Sequence, residues 1–316
     1  MSQLTESTFH SSKPATSFGL FFRLTTGQWR PGKFWHKRSF RRKFMLRSLL
    51  IPRLTHEWMA ELTQWPELDN LLTRQPRLPV RLHRPYLALN LDRKMKLNAV
   101  RFHYNFIRHS FSSVELNSYL NPEGLQLAQF EGKEGELFTL VLTTFIALDK
   151  EGESTVLLRN SVGETLAEIT FTICEYEGKT NIFIGGLQGG SRLLPHEAIQ
   201  KATKSCHGIF PKRIVMEAIC RLAERLNIEN VMAVSNEQHI FRSPRYHDKN
   251  KVILSDYNAF WASVGGECDS RGYYHIPRTL ARKSEAEIAS KKRAEYRRRY
   301  QLLDTIHEQL SLMFRH

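Results

Sequence analysis

Apolar residues recur at helical spacing through most of the first third of the chain. Residues 37–51 predict a helix that ends before Pro52, with aromatic side chains near one face and arginines opposite. The periodicity continues over residues 55–75, where Pro66 divides it into two short helices, and over residues 92–111, where Asp92 is placed as an N-cap. The N-terminal third is therefore predicted to be mainly helical.

The pattern changes near Gly124 to short β-type runs separated by turns rich in Gly, Glu and Lys. Five such runs follow one another up to Gln188. In one of them Ile169 can face a core while Thr170 and Thr172 face the other side. Short connections between successive strands favour antiparallel neighbours, so these runs predict a meander of four or five strands.

Helices and strands alternate after the fifth run. The pattern predicts a short helix, a longer one beginning at Pro211, a buried strand, a helix ended by glycines and another strand. A long basic C-terminal helix follows, with a capping box at Ser284 and Glu287. Together these elements predict an α+β fold: N-terminal helices, then a central, largely antiparallel sheet with flanking helices. Three parts are predicted, the last two packed as one unit: a disordered, basic and aromatic segment (1–40), a helical part (41–123) and an α+β part (124–316).

Basic residues are concentrated at the two ends of the chain, whose net charge is +14. No Asp or Glu occurs from Ser7 to His56, and the stretch from Arg278 to Arg299 has nine basic residues against three acidic ones. Such segments attract polyanions, so nucleic acid, lipid headgroups and other anionic ligands are candidate partners. Residues 17–50 have two interpretations: a peripheral contact with the inner membrane, or a helix packed on the core with solvated arginines.

The four cysteines are widely spaced and form no CxxC pair, which favours a reduced, cytoplasmic setting over a disulfide framework. Neither they nor the histidines show metal-ligand spacing, so no metal is predicted. No stretch approaches the roughly 20 apolar residues that span a bilayer. The composition therefore predicts a globular protein of the cytoplasm.

The motif GGLQGG, residues 185–190, is the first candidate for chemistry. Its spacing matches neither the P-loop nor the dinucleotide-binding fingerprint, and Pro195 separates it from the next helix. Glycines at a strand end permit a bulge or the close approach of another backbone. Gln188 is predicted either to bind substrate or to cap the end of the sheet.

A second candidate is the basic loop and helix start around residues 201–213. Lys204, Lys212 and Arg213 are predicted to bind an anion at a helix N-terminus, with a solvated basic helix start as the alternative. The layout of antiparallel strands, basic loop, helix and strand resembles the pyrophosphate-binding half of the Gcn5-related acyltransferases. That resemblance implies acyl-CoA as the ligand, although the loop has only one of the expected glycines, Gly208.

Polar side chains cluster in the loop after the predicted buried strand, where sites on open sheets often lie. His239 and Tyr246 are candidate general acid–base groups because both can carry the proton, and Asn236 is a candidate for substrate binding. His103 is a further candidate if it faces a cleft. The alternative for each histidine is an inert side chain.

The basic C-terminal helix resembles a nucleic-acid recognition helix. No helix-turn-helix partner or aromatic RNA platform accompanies it, so sequence-specific DNA binding is not predicted. A solvated or lid-forming basic helix is favoured.

Several motifs in order resemble the VirK/YbjX family of enterobacteria over about residues 41–310. They are FHYNFI, FIGGLQGG, ATKSCHGIFPKR, AVSNEQHIFRSPRYH, YNAFWASVGG and KKRAEYRRRYQLLD. The resemblance implies a Gram-negative cytoplasmic protein linked to virulence, outer-membrane remodelling and tolerance of cationic antimicrobial peptides. It supplies no catalytic residues. The candidate residues and the resemblance together leave two functions open. One is an acyltransferase-like enzyme, and the other is a non-catalytic adaptor that binds RNA or an envelope-protein precursor through its basic surfaces.

Overall fold

The structure is a computed structural model that describes residues 14–144, 146–190, 194–246 and 256–314. Internal contacts divide the chain into two compact units, Met1–His83 and Arg84–His316. Among the described residues, no helix combines the length and the apolar character needed to cross a membrane.

The first unit is built from short helices around buried tryptophans. Thr16 caps the first helix through its side chain, and Pro52 occupies the first turn of the fourth. The indoles of Trp35 and Trp58 are buried and donate to the carbonyls of Pro76 and Leu78. The helices are α1 (Ser17–Thr26), α2 (Lys33–His36), α3 (Arg38–Leu49), α4 (Pro52–Thr63) and α5 (Leu68–Arg74).

The second unit is an eight-stranded sheet with helices against it. The first five strands form the predicted antiparallel meander, and the spatial order is β1-β2-β3-β4-β5-β6-β8-β7. Among the described pairs, only β5 and β6 run parallel. The strands are β1 (Leu125–Glu131), β2 (Leu137–Thr143), β3 (Ser154–Asn160), β4 (Thr165–Tyr176), β5 (Lys179–Gly189), β6 (Asn230–Val234), β7 (Glu267–Cys268) and β8 (Tyr273–Ile276).

Two helices, α6 and α9, pack against β4. Both alternating sets of β4 side chains are therefore buried, Thr170 and Thr172 included. Asp92 caps α6 as predicted, its side chain accepting the N–H of Met95. The helices are α6 (Arg93–Ser110), α7 (Ser113–Tyr119), α8 (His196–Ser205), α9 (Pro211–Arg225), α10 (Tyr257–Ser263) and α11 (Arg293–Leu312).

The α+β prediction is confirmed, including the N-terminal helices, the largely antiparallel sheet and the long basic C-terminal helix. The start of that helix was predicted too early. Ser284 and Glu287 do form a capping box, but it closes a single 3-10 turn. Ile288 then adopts an extended backbone and buries its side chain, so the continuous helix begins only at Arg293.

Candidate functional site

Glu151 crosses β5 at the first glycine pair of the GGLQGG motif. A Cβ atom on Gly185 would lie 2.0 Å from the carbonyl oxygen of Glu151, and one on Gly186 would lie 2.1 Å from its Oε2. Since a side chain at either position would collide with Glu151, the glycines provide the space for it. The prediction of a bulge and of close backbone approach is confirmed, because the β4–β5 register also shifts here.

Glu151 connects two of the residues predicted from the sequence. Gln188 Nε2 donates to both carboxylate oxygens of Glu151, at 3.2 and 3.1 Å. On its other side, His239 Nε2 lies 3.5 Å from Glu151 Oε1. Glu151 and His239 are each 1% exposed, so their interaction is poorly screened by water.

A short segment before α6 ties together the loops that carry these two side chains. Leu87 donates its N–H to Lys150 O at 2.8 Å, and Leu89 donates to Gln238 O at 3.0 Å. Each acceptor immediately precedes one of the two side chains. The segment therefore fixes the separation between the loop before β3 and the loop after β6.

The ring of His239 has a defined orientation. The Phe241 N–H donates to His239 Nδ1 at 3.3 Å, which places the proton of the neutral ring on Nε2, facing Glu151. One face of the imidazole stacks on Tyr257, with ring centroids 5.0 Å apart. The Nε2 edge of the ring therefore faces the Glu151 carboxylate.

Glu168 is a second carboxyl group beside Glu151. It is half-buried on β4, directly opposite Gln188 in the β4–β5 register. Burial, and then the charge of Glu151, raise the pKa of Glu168 to about 7. A carboxyl group with this pKa is present in both protonation states near neutral pH, as a general acid or base requires. We refer to Glu151, Glu168, Gln188, His239 and Tyr257 as the Glu151 cluster.

Strands β5 and β6 separate next to this cluster. Their pairing ends at Ile184 and Ala233, whereas β5 continues to Gly189. The N–H of Leu187, beyond the last pair, donates to Tyr257 Oη at 3.4 Å. Helix α10 therefore lies against the open end of β5, and burial next to Glu151 raises the pKa of the Tyr257 hydroxyl.

Asn236 holds the start of α10. Its Nδ2 donates to Asp256 Oδ1 at 2.9 Å, and its Oδ1 accepts the N–H of Tyr257 at 2.9 Å. Asp256 in turn caps the helix by accepting from Ala259. Asn236, which the sequence predicts as a substrate-binding residue, therefore positions Tyr257.

A cleft of about 490 Å³ is lined by residues of β4, β5 and the helices α8, α9 and α10, and by none of the five side chains of the Glu151 cluster. Leu166 lines it two residues before Glu168 on β4, at a shift in the β3–β4 register that interrupts the alternation of side chains. Gly189 lines it next to Gln188, and Phe260 lies one turn of α10 beyond Tyr257. The other lining residues are Ile199, Phe210, Pro211, Lys212, Arg213, Ser263 and Val264.

The three predicted anion-binding residues have different positions. Lys212 lines the cleft at the start of α9, and burial lowers the pKa of its amine. Arg213 also lines it, but its guanidinium binds Glu217 one turn along the same helix, at 3.0 and 2.9 Å. Lys204 is exposed on α8 and is not among the lining residues. Of the three, Lys212 and Arg213 therefore line the cleft and Lys204 does not.

His103 lies in a different polar network, fully buried between α6 and the sheet. Its Nδ1 accepts the N–H of Ile173 at 3.0 Å, and its Nε2 lies 3.1 Å from Ser154 Oγ. Ile173 extends beyond the last β3–β4 pair, so the imidazole replaces a missing strand partner. His103 thereby stabilises the packing of α6 on β4.

Tyr246 packs against the outer side of Phe241, with ring centroids 5.8 Å apart. The ammonium of Lys150 lies 5.6 Å from its ring. His239 contacts the same Phe241 at 5.2 Å, so one aromatic ring lies between the two predicted acid–base residues. The structure joins His239 to the Glu151 cluster and leaves Tyr246 outside it.

The sequence patterns did not single out Glu151, Glu168 or Tyr257. One signal for Glu151 is present in the segment DKEGE, where Asp149, Glu151 and Glu153 alternate. All three are at most 1% exposed, whereas a charged inter-strand segment is ordinarily solvated. Acidic residues at every second position can thus indicate a buried polar row.

The family described as "Protein of unknown function (DUF535)" matches residues 33–311. The "Uncharacterized protein YbjX" of Escherichia coli K12 is 63% identical over 315 residues, spanning all of this chain and 96% of that protein. An "Uncharacterized protein" of Haemophilus influenzae is 31% identical over 154 residues, 49% of this chain and 50% of its own length. The chain therefore belongs to the DUF535 family, the VirK/YbjX family that its motifs resemble.

Proposed function

We propose that the protein is an acyltransferase that moves an acyl group from a thioester of CoA or of an acyl carrier to an amine or hydroxyl acceptor. The observation that carries this proposal is that Glu168 lies two residues from Leu166 and opposite Gln188, the neighbour of Gly189, and that Leu166 and Gly189 both line an apolar cleft. The Glu168 pKa of about 7 suits a base that takes the acceptor's proton at neutral pH.

The cleft suits an acyl donor with an anionic group. Its walls are mostly apolar, from Leu166, Ile199, Phe210 and Phe260, which matches an acyl chain. Lys212 and the N-terminus of α9 supply positive charge at one side, where a phosphate of the donor would bind. The thioester would then lie near the open end of β5.

The reaction balances with the groups of the Glu151 cluster. The acceptor nitrogen or oxygen attacks the thioester carbonyl, the new C–N or C–O bond forms, and the C–S bond breaks. The acceptor's proton passes to Glu168, and the released thiolate takes up a proton from it or from water. Burial, and then the charge of Glu151, keep the pKa of Glu168 high, and His239 Nε2 lies 3.5 Å from Glu151 Oε1.

Ligand binding and turnover test the proposal separately. Long-chain acyl-CoA and free CoA should raise the melting temperature, and Lys212→Ala should abolish the shift. Lys204→Ala is the matched control, because Lys204 is an exposed lysine that does not line the cleft. Release of free thiol from acyl-CoA with an amine acceptor should fall at least about 100-fold in Glu168→Gln, while the melting shift persists. If no CoA derivative shifts the wild-type melting temperature, the proposal fails.

We propose envelope modification as the physiological setting, on the support of the family resemblance. The acceptor would be an amine or hydroxyl of an envelope component. A deletion strain should become more susceptible to a cationic antimicrobial peptide, and complementation should succeed with wild type but not with Glu168→Gln. Rescue by Glu168→Gln would separate the phenotype from catalysis.

The alternative function is an adaptor that binds RNA or an envelope-protein precursor through the basic α11. Arg297 and Arg298 are exposed and favour it. Arg299 is structural, since its guanidinium donates to His207 O at 3.1 and 2.9 Å. Charge reversal at Arg297 and Arg298 alone should then remove salt-sensitive RNA binding, and Glu168→Gln should leave it unchanged.

A further inference from the structure

The first unit has an unusual concentration of exposed apolar side chains. Phe18 is 74% exposed, Leu49 64% and Leu50 76%. Six of the eleven exposed large hydrophobic residues of the described chain fall within residues 18–50. They are Phe18, Phe22, Met45, Leu46, Leu49 and Leu50, which we call the apolar face.

Helix α3 turns one side inward and the opposite side toward solvent. Arg41, Phe44 and Ser48, at spacings of three and four residues, form its buried side. Arg42, Met45, Leu46 and Leu49 also follow the spacing of one helical stripe, and all four are exposed. The apolar residues of this outer stripe therefore take no part in the core of the unit.

A small groove connects the outer stripe of α3 with α1. Its volume is about 160 Å³, and Phe18 and Leu49 both line it. Phe18 also stacks on Phe22 one turn along α1, with ring centroids 6.3 Å apart. The apolar face is thus continuous across two helices, which exceeds the scattered apolar exposure usual for a monomer surface.

Positive charge borders this apolar face. No acidic residue occurs anywhere from Pro14 to His56. Lys37, Arg38, Arg42 and Lys43 are exposed at the N-terminal half of α3, immediately before its apolar half. Exposed apolar side chains next to exposed cations complement the two layers of an anionic lipid surface, its acyl region and its phosphates.

We propose that the apolar face docks the protein on a bilayer rich in anionic phospholipid. The aromatic and leucine side chains would enter the interfacial region, and the arginines and lysines of α3 would contact lipid phosphates. Binding of this kind needs both signals, because neither a few apolar side chains nor a few charges hold a protein on a membrane alone. The proposal does not depend on the acyltransferase function.

Vesicle flotation of the full chain tests this docking. The protein should float with vesicles containing phosphatidylglycerol and remain unbound with pure phosphatidylcholine, and the bound fraction should fall as salt rises. Phe18→Ser combined with Leu49→Ser should weaken binding at least about tenfold, and so should Arg42→Glu combined with Lys43→Glu. Because all four side chains are exposed, the melting temperature should stay close to that of wild type.

Two matched variants distinguish this face from general stickiness. Val114→Ser with Val162→Ser changes apolar residues that are 74% and 77% exposed elsewhere, and Arg297→Glu with Arg298→Glu changes exposed charges on α11. Both should bind vesicles like wild type. The proposal is overturned if only the α11 variant loses binding, or if neutral vesicles bind equally well. It is also overturned if, without lipid, the protein is a dimer that the Phe18 and Leu49 variant dissociates.

Discussion

Replacing Glu168 by Gln should make the protein more stable at alkaline pH and inactive as an acyltransferase. In the folded protein, burial and the charge of Glu151 raise the pKa of Glu168 from 4.5 to about 7. The folded state therefore binds a proton that the unfolded state has lost between these two values, and the stability contributed by this group falls as pH rises through that window. Gln has the shape of the protonated acid and cannot ionise.

The size of the effect follows from the pKa difference. A rise from 4.5 to about 7 corresponds to at most about 3 kcal/mol of unfolding free energy lost above pH 7. Glu168 is half-buried, so residual solvation reduces this to about 2 kcal/mol. The Gln variant should gain that amount at pH 8 and about 1 kcal/mol or less at pH 5, where folded wild type is protonated. For a unit of this size the gain at pH 8 equals a rise in Tm of about 4–8 °C.

Thermal unfolding at the two pH values is the assay, and Glu175→Gln is the control. Glu175 is an exposed glutamate on the same strand, so its replacement should change Tm little at either pH. Calorimetry is the preferred readout, because Glu168 belongs to the compact unit Arg84–His316 and the transition of that unit should move. A Gln variant destabilised at pH 8, or shifted equally at both pH values, would refute the reasoning about burial and repulsion.

Three further predictions follow from the contacts around the site. Gly186→Ala should displace Glu151 and destabilise the unit by about 2–4 kcal/mol in urea unfolding, whereas Gly189→Ala should be tolerated, since its Cβ would meet nothing nearer than 3.8 Å. Asn236→Ala should fray the start of α10 and lower the free energy of unfolding by about 1 kcal/mol. The rate of thiol release should fall more than the affinity for CoA. His103→Ala should lower the free energy of unfolding by about 2–4 kcal/mol, because it leaves buried groups unpaired. CoA should still raise the melting temperature of this variant.

Local patterns predicted most of the fold because the elements carry their own signals. Asp92 and Pro211 begin helices through capping chemistry that acts within one turn. The meander follows from alternating strands with short connections, which constrain neighbours directly. The start of α11 was misjudged because Ser284 and Glu287 satisfy the same local rule while closing only one turn.

The candidate site was less accessible to sequence reasoning because its parts are distant in the chain. The sequence predicts that another group approaches the backbone of β5 closely at the glycine pair, and this is confirmed. The approaching residue, Glu151, lies more than 30 residues earlier in the chain. His239 and Gln188 were selected as separate candidates, and only the fold shows that one carboxylate contacts both. The raised pKa of Glu168 depends on a strand register and on a neighbour from another loop, neither of which a single segment encodes.

The two buried glutamates of the DKEGE segment have different surroundings, one in the packing of a helix and the other beside the proposed site. Glu153 accepts from Tyr104 Oη at 2.7 Å, so it takes part in the packing of α6 on the sheet. At Glu168, burial and then the charge of Glu151 raise the pKa of the carboxyl, which lowers the stability of the folded protein at neutral pH. A Gln at position 168 would relieve that repulsion with the same shape. Groups whose mutual placement opposes stability are characteristic of sites kept for chemistry, and this argues for Glu168 over His103 as the residue on which activity depends.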